Sequence, residues 1–79
     1  MYHIYILKSQ KDNTLYIGKT KNLKRRLGEH FKSLSKSTKK RLPMKLIYVE
    51  SYLSNSDASK REIKLKKFKN SYKELKKKN

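Results

Sequence analysis

The first strong pattern in the sequence is a polar turn that separates two short segments rich in tyrosine and isoleucine. Residues 2–7 and 14–17 have the β-branched and aromatic composition of strands. Residues 8–13 between them contain Asp12-Asn13, and both residue types are common in turns. The pattern therefore predicts a β-hairpin at the start of the chain, around which the rest of the fold must be completed.

A helix is predicted directly after this hairpin. Gly18 ends the second strand, and the side chain of Asn22 can cap the N terminus of a helix that begins at Leu23. Apolar residues then recur with helical spacing at Leu23, Leu27, Phe31 and Leu34. The segment 33–43 that follows is polar and basic without an apolar period, and Pro43 lies at its end, so we interpret it as a cationic loop.

The second half of the chain predicts one more strand and one more helix. Residues 44–52 include the strong strand formers Leu46-Ile47-Tyr48-Val49, so we expect a central strand that is buried on both faces. Ser54, with Asp57 three residues later, resembles a capping box at the start of a helix. The apolar stripe of this helix consists of Ala58, Leu65, Phe68 and Tyr72.

These elements define one small α+β domain. The order strand, strand, helix, strand, helix predicts a three-stranded antiparallel sheet flanked by helices. A chain of 79 residues supports one hydrophobic core, and a domain of this size hides only about 60% of the surface that its unfolded chain exposes. We assign the domain to residues 1–75 and predict a basic, frayed tail at 76–79.

The absence of cysteine excludes disulfides and thiolate zinc sites, so any metal must bind oxygen or imidazole.

The charge of the chain predicts a polyanionic partner. Its 23 lysines and arginines against 6 aspartates and glutamates give a formal net charge of +17, which makes the compact state repel itself. An anionic membrane surface would also suit this charge, but no tryptophan and two phenylalanines are too few for an apolar membrane-binding face. No segment resembles a membrane span or a secretory leader. We therefore expect nucleic acid as the partner, no membrane association and a cytoplasmic location.

Three polar side chains border the predicted buried faces of the helices. At about 100° per residue, Arg26 lies roughly 60° and His30 roughly 20° from Leu23 on the first helix. On the second helix, Glu62 lies roughly 40° from Ala58. A structural interpretation is that the arginine extends from the rim of the core, the histidine is half-buried with its hydrogen bonds made, and the glutamate pairs with a lysine.

The hairpin adds two tyrosines, Tyr5 and Tyr16, which share one face of the sheet if the strand register permits. Tyrosines in strands usually pack with a solvated hydroxyl. Grouped at one small sheet, however, two phenols, an arginine, a histidine and a carboxylate are the groups that phosphodiester hydrolysis uses. A divalent cation on a carboxylate lowers the pKa of bound water, and an arginine complements the charge on the transition-state oxygens.

The order and spacing of short segments between residues 2 and 69 make the pattern more specific. These segments are Tyr2-His3-Ile4-Tyr5-Ile6-Leu7, Leu15-Tyr16-Ile17-Gly18-Lys19-Thr20, Asn22-Leu23, Arg26, His30, Leu46-Ile47-Tyr48, Arg61-Glu62 and Leu65. The arrangement resembles the GIY-YIG endonuclease superfamily, and most closely its small members that consist of a single domain. His3 stands where the family is named for a glycine, a position that varies among the small members.

The resemblance implies a metal-dependent endonuclease that hydrolyses phosphodiester bonds in nucleic acid, with DNA expected ahead of RNA. Tyr5 and Tyr16 would line the active site, and Tyr5 would help to deprotonate the attacking water. Arg26 would stabilise phosphate charge, with His30 as a supporting contact. Glu62 would be the single protein ligand of one Mg²⁺ or Mn²⁺ ion, which prefers oxygen ligands and retains water.

Further residues follow from the same resemblance and from the charge. Gly18 would allow a close backbone approach, and Lys19 beside it would be a supporting contact to nucleic acid. Asn70 is the candidate for the polar residue that family members place beyond the glutamate helix. Basic residues of the loop and the second helix would bind the phosphate backbone with little sequence preference, namely Lys39, Lys40, Arg41, Lys45, Lys66 and Lys67.

Two other functions fit the same residues. The protein could be a non-catalytic basic module that binds DNA or RNA, in which the tyrosines and Glu62 only pack and pair. It could also be an accessory subunit that cuts only when a protein partner supplies sequence specificity. The first alternative predicts that Glu62→Ala changes nothing except stability, and the second predicts efficient cutting only in a complex.

Overall fold

The computed structural model describes the backbone of residues 1–32 and 38–78, and the side chains of residues 1–32 and 38–69. The elements are β1 (Tyr2–Ser9), β2 (Leu15–Thr20), α1 (Leu23–Phe31), a 3-10 turn (Lys39–Arg41), β3 (Met44–Tyr52) and α2 (Asn55–Lys78). Three antiparallel strands and two helices in this order confirm the predicted α+β fold.

Several predicted features fall at or beyond the described residues. Leu34 of the first predicted helix lies outside them, as do the side chains of Asn70 and Tyr72. The helix α2 continues to Lys78, into the segment that we interpret as a tail, and the division of the chain at residue 75 stays a prediction. Within the described part of the chain, no helix is long and apolar enough to cross a bilayer.

The predicted hairpin is formed by β1 and β2, with a turn closed by local hydrogen bonds. The backbone N–H and the hydroxyl of Thr14 donate to Asp12 Oδ1 at 3.0 and 2.7 Å. Asn13 has a φ of 60°, a left-handed conformation that asparagine adopts more readily than most residues. The register then places Tyr5 opposite Gly18 and Leu7 opposite Tyr16. Tyr5 and Tyr16 therefore lie on the same face of the sheet, two residue pairs apart.

The third strand does not occupy the predicted central position. The strand order is β2-β1-β3, so β1 is the central strand and the expectation that residues 44–52 are central and buried on both faces is wrong. Three of their side chains, Ile47, Tyr48 and Val49, are 47%, 43% and 37% exposed. The residues buried on both faces are instead 4–7 of β1. A run of apolar residues predicts a strand, but pairing decides which strand has two neighbours.

Each face of the sheet is covered by one helix. The cluster against α2 has the buried members Ile4, Ile6, Ile17, Ala58 and Leu65. The cluster on the other face joins residues of β1 and β3 to residues of α1, and it includes Tyr5, Leu7, Met44, Leu23 and Leu27. Since successive side chains of β1 point to opposite faces, α1 and α2 lie on opposite sides of the sheet. Tyr5 therefore faces α1, whereas Glu62 belongs to the helix on the other side.

The helix caps confirm the predicted starts, and the apolar stripe of α2 is confirmed only in part. The backbone N–H of Arg25 donates to Asn22 Oδ1 at 3.1 Å, and that of Asp57 donates to Ser54 Oγ at 3.3 Å. Phe68 is 61% exposed, although it continues the stripe that includes the buried Ala58 and Leu65. It borders a shallow cavity of about 180 Å³ beside the hairpin turn, lined by Lys8, Asn13, Leu15, Ile47 and Phe68. The helix reaches the end of the sheet at this point, so Phe68 has less surface to pack against.

Candidate active site

The centre of the candidate site is Tyr5, which is 1% exposed and lies over Gly18 on the neighbouring strand. A Cβ atom at residue 18 would lie 2.4 Å from the Tyr5 hydroxyl oxygen and 2.5 Å from the ring carbon that carries it. Any side chain at this position would therefore displace the ring. This agrees with the expected close approach at Gly18, and the approaching group is the tyrosine side chain.

Tyr5, Tyr16 and His30 form a cluster of three rings between the sheet and α1. The Tyr5 hydroxyl and His30 Nε2 are 2.9 Å apart and make a buried hydrogen bond. The ring centroid of Tyr16 lies 5.0 Å from that of His30 and 6.2 Å from that of Tyr5, in edge-on and tilted arrangements that are favourable for aromatic rings. The register of the hairpin and the periodicity of α1 together bring these three residues into contact.

The second nitrogen of His30 is also engaged. His30 Nδ1 lies 2.7 Å from Thr38 Oγ1, and both residues are 0% exposed. Thr38 stands in a basic stretch without apolar period, so the sequence offers no signal that separates it from its solvated neighbours. It is the functional candidate that sequence patterns do not predict.

Arg26 is the cation of the cluster. Its Nη1 donates to Glu29 Oε1 at 3.0 Å, and the side chains of the two residues are 31% and 33% exposed. The guanidinium also interacts with Tyr5 and Tyr16. The hydrogen bond to Glu29 is the main cause that raises the pKa of Arg26 above its ordinary value, so this group is charged at every pH of interest.

The protonation states follow from this environment. Burial raises the pKa of Tyr5 from 10.0 to about 12, although the nearby guanidinium of Arg26 opposes the shift. Burial, and then the positive charge of Arg26, lower the pKa of His30 below its ordinary value of 6.5. At neutral pH the pair therefore consists of a protonated phenol and a neutral imidazole. The first can donate a hydrogen bond that the second can accept.

Glu62 is separated from this cluster by the sheet. Within the part of the chain that the structure describes, no hydrogen bond or ion pair joins it to Tyr5, Tyr16, Arg26 or His30. Its side chain is 20% exposed, and its Oε2 lies 3.5 Å from Lys66 Nζ. The structure thus brings four of the predicted catalytic residues together and places the fifth on α2.

Lys19 shows how Glu62 is oriented relative to the cluster. Its Nζ donates to Asn55 Oδ1 at 2.8 Å and to Ser59 Oγ at 2.7 Å, and both acceptors belong to α2. Asn55, Ser59 and Glu62 follow one another at helical spacing, so they share the side of α2 that faces β2. Since β2 is an edge strand, Glu62 and the ring cluster approach the same edge of the sheet from its two faces.

The chemistry of Glu62 fits a largely hydrated divalent cation. The described residues contain no group of three or more His, Asp or Glu side chains that could enclose a metal. Mg²⁺ and Mn²⁺ prefer oxygen ligands, and Mg²⁺ commonly binds through one or two carboxylates while it keeps several waters. Glu62 offers one carboxylate accessible from solvent, and its ion pair with the 55% exposed Lys66 is weak enough to exchange. The donor set therefore suits such a cation and does not suit an enclosed metal.

The basic residues predicted to bind nucleic acid fall into two groups. The 3-10 turn Lys39–Arg41 lies at the hairpin end of the sheet, where Ser9 Oγ donates to the carbonyl of Arg41 at 2.7 Å. Lys45 is exposed at the start of β3, close to this turn in the chain. Lys66 and Lys67 are exposed on α2, on the other face of the sheet. A nucleic acid that contacts both groups would pass the edge of the domain.

A second polar network joins β3 to α2 away from the ring cluster. Arg61 Nη2 lies 2.8 Å from Glu50 Oε1, and Arg61 Nε donates to Glu50 Oε2 at 3.0 Å. The hydroxyls of Tyr48 and Tyr52 donate to the same carboxylate. Arg61 is the main cause that lowers the pKa of Glu50 from 4.5 to about 2. This network anchors α2 on β3.

Comparison with known protein families matches this chain to the GIY-YIG catalytic domain. The chain belongs to this family, whose model matches residues 1–79, and GIY-YIG domains are nuclease domains. The family assignment confirms the resemblance carried by the strand motifs.

The chain is also similar to several UPF0213 proteins. It is 41% identical over 68 residues to one from Staphylococcus haemolyticus, which covers 85% of this chain and 82% of that protein. It is 36% identical over 75 residues to one from Halobacterium salinarum, which covers 94% and 96%. A third, from Syntrophus aciditrophicus, is 45% identical over 67 residues, with 82% and 76% covered. No solved structure shows significant similarity to the chain.

Proposed function

We propose that this protein is a metal-dependent endonuclease that hydrolyses phosphodiester bonds, with DNA as the expected substrate. The observation that carries the proposal is the buried hydrogen bond of 2.9 Å between the Tyr5 hydroxyl and His30 Nε2. It pairs a weak acid with a base beside the guanidinium of Arg26, which suits proton transfer next to a phosphate.

The proton path begins at Tyr5. As the attacking water gives a proton to the Tyr5 oxygen, the original phenol proton moves to His30 Nε2. The oxygen of the water bonds to phosphorus, the bond between phosphorus and the leaving sugar oxygen breaks, and that oxygen takes a proton from solvent. Positioned proton transfer of this kind contributes about 10²–10⁴-fold to rate.

Arg26 has two roles in this scheme. Its guanidinium has five N–H groups, and one of them, on Nη1, donates to Glu29 in the free protein. The others bind the phosphate oxygens, and the shift of the side chain opens the buried Tyr5 hydroxyl to water. The phosphate also offsets the positive charge that lowers the pKa of His30, so the imidazole accepts a proton more readily when substrate is present.

Glu62 would hold the cation. When bound, Mg²⁺ or Mn²⁺ supplies charge neutralisation at the phosphate and lowers the pKa of coordinated water. The chain positions Glu62 for this role, because Lys19 holds the start of α2 against β2 through hydrogen bonds to Asn55 and Ser59. Lys66 neutralises the carboxylate in the absence of a cation.

The basic residues described above bind the phosphate backbone in this proposal. Such binding is nearly independent of sequence and weakens steeply with salt, because each neutralised phosphate releases counterions. Specificity for a particular site or structure would then come from DNA shape or from a protein partner. The cytoplasmic location expected from the sequence stays a prediction.

A non-catalytic nucleic-acid-binding module is the second candidate. Two observations favour it, namely the 1% exposure of Tyr5 and the position of Glu62 on the opposite face from the ring cluster. In that case the tyrosines and the histidine only stabilise the contact between α1 and the sheet.

The deciding experiment measures cleavage of supercoiled plasmid and single-stranded DNA by the purified protein with Mg²⁺, Mn²⁺ or EDTA. We expect metal-dependent nicking that Tyr5→Phe, Arg26→Ala and Glu62→Gln each abolish, while salt-sensitive DNA binding persists. Arg25→Ala is the matched control, because Arg25 is exposed on the opposite side of α1. Salt-sensitive binding with no cutting of either substrate would favour the binding module, and cutting that appears only with a partner protein would favour the accessory subunit.

A further inference from the structure

The hydroxyl of Thr38 is directed to His30 although its place in the chain suggests another use. Thr38 is the N-cap residue of the 3-10 turn, where a threonine hydroxyl commonly accepts a backbone hydrogen bond. Its side chain makes no such bond, and the N–H of Arg41 donates to the Thr38 carbonyl instead. The hydroxyl is buried and lies 2.7 Å from His30 Nδ1.

Both ring nitrogens of His30 thus have a hydroxyl partner, and each hydroxyl can donate or accept, so the tautomer of the neutral ring fixes the direction of both hydrogen bonds. A neutral imidazole has one N–H donor and one acceptor nitrogen, and the partner of each nitrogen selects the tautomer. We propose that Thr38 Oγ1 accepts the Nδ1–H of His30 and so keeps Nε2 unprotonated toward the Tyr5 hydroxyl, which makes Thr38 a positioning residue. The inference rests on the proposed nuclease function and adds a residue to it.

The proposed tautomer suits the proton transfer without rearrangement. The Tyr5 hydroxyl donates to Nε2 before the transfer. After it, Nε2–H donates to the Tyr5 oxygen, which now carries the proton of the attacking water. Nδ1–H donates to Thr38 throughout, so no hydrogen bond is broken when the imidazolium forms. The opposite tautomer would place a proton on Nε2, and Tyr5 could not transfer its own proton to that nitrogen.

The position of Thr38 is itself fixed by the central strand. Ser9, which is 0% exposed, donates its hydroxyl to the carbonyl of Arg41 at 2.7 Å. The N–H of Arg41 donates to the carbonyl of Thr38 at 2.9 Å. A closed series of hydrogen bonds thus runs from β1 at Ser9 through the basic turn to Thr38 and His30, and returns to β1 at Tyr5.

The first measurement is the ¹⁵N spectrum of the His30 ring, which separates protonated from unprotonated nitrogens. We expect a single tautomer in the wild-type protein with the proton on Nδ1. A wild-type spectrum with the proton on Nε2 would overturn the proposal, and this result does not depend on any variant or on activity.

The second measurement compares Thr38→Val, which removes the hydroxyl at nearly constant volume, with Thr38→Ser, which keeps it. We expect Thr38→Val to mix the two tautomers and to lower the nicking rate roughly 10–100-fold, by analogy with the loss of hydrogen-bond partners that orient metal-binding histidines. Thr38→Ser should keep the wild-type tautomer and most of the rate. An unchanged tautomer and rate in a folded Thr38→Val protein would overturn the proposal.

The pH profile of nicking separates a positioning role from a structural one. The titratable and charged groups that face His30 are Tyr5 of β1, Tyr16 of β2, and Arg26 and Glu29 of α1. Thr38→Val should shift the pH at which the nicking rate falls on the acidic side, because it removes a hydrogen-bond partner of the His30 ring. Loss of packing alone would lower the rate by the same factor at every pH. A wild-type protein that has the Nδ1–H tautomer and cuts no substrate would support the hydrogen-bond assignment and overturn the proposed function.

Discussion

The hydroxyl of Tyr5 occupies the space that a side chain at Gly18 would need. The two residues are paired across β1 and β2, and a Cβ at residue 18 would lie 2.4 Å from the Tyr5 hydroxyl oxygen. The glycine therefore determines where the phenol lies as well as how the strand is shaped. Because the same hydroxyl bonds His30, one methyl group at residue 18 would disturb the whole ring cluster.

We expect Gly18→Ala to abolish nicking as Tyr5→Phe does. The new Cβ displaces the Tyr5 ring and breaks its bond to His30, and such overpacking costs about 1–3 kcal/mol of stability. Nicking rates and urea unfolding measure the two effects. Gly28→Ala is the matched control, since a Cβ there meets no heavy atom within 4 Å and alanine stabilises a helix interior by about 1 kcal/mol. A Gly18→Ala protein that cuts at the wild-type rate would contradict this geometry.

His30 makes both activity and stability depend on pH on the acidic side. Its pKa in the folded protein is below 6.5, so between the two values the unfolded chain binds more protons. Stability therefore falls as pH decreases from 6.5 toward the folded pKa. Nicking falls at the lower end of this window, as pH passes through the folded pKa, because a protonated Nε2 cannot accept from Tyr5. Urea midpoints and rates across this window test the prediction. His30→Gln should remove this part of the pH dependence of stability, and a variant that keeps it would assign the effect to another group.

Glu50 stabilises the domain in a lower pH window. Its pKa is lowered from 4.5 to about 2, so its contribution is complete above 4.5 and is lost as pH falls toward 2. We expect Glu50→Gln to lower the urea midpoint at neutral pH, because it weakens the network that anchors α2 on β3. The difference from wild type should disappear at the acidic end of the window. A constant difference at every pH would mean that packing, and not the charge of Glu50, carries the effect.

Lys19 distinguishes a tether of α2 from a phosphate contact. In the free protein its ammonium bonds Asn55 and Ser59, so Lys19→Met should reduce metal-dependent nicking and leave the salt dependence of DNA binding unchanged. Lys39→Met is the control. Loss of its one phosphate contact should change the slope of the logarithm of the DNA-binding constant against the logarithm of the salt concentration by about 0.9. An equal change of slope in Lys19→Met would instead assign Lys19 to the phosphate backbone.

Local patterns were sufficient for a large part of the fold. The turn at Asp12-Asn13 and the spacing of Leu23 and Leu27 predict the hairpin and α1, because these signals lie within a few residues of one another. The same helical spacing places Arg26 and His30 at the buried face of α1, where the structure has them. The family motifs follow the same elements, and the family assignment confirms them.

The remaining features depend on contacts between distant parts of the chain. The apolar composition of residues 44–52 predicts a strand, but only the pairing with β1 shows that it lies at an edge. The contact between Thr38 and His30 requires the intervening segment to bring the basic turn back to α1, and no spacing rule describes that path. The face to which Glu62 belongs depends on the side of the sheet that α2 covers.

The sequence by itself determined the elements, their order, the family and the residue types of the site. Tertiary structure decided which strand is central, which residues surround His30, and that Glu62 belongs to the helix on the other face of the sheet from the ring cluster. The physical reason is that periodicity and capping act over one or two helical turns, whereas strand order and side-chain contacts between elements arise from packing the whole chain around one small sheet.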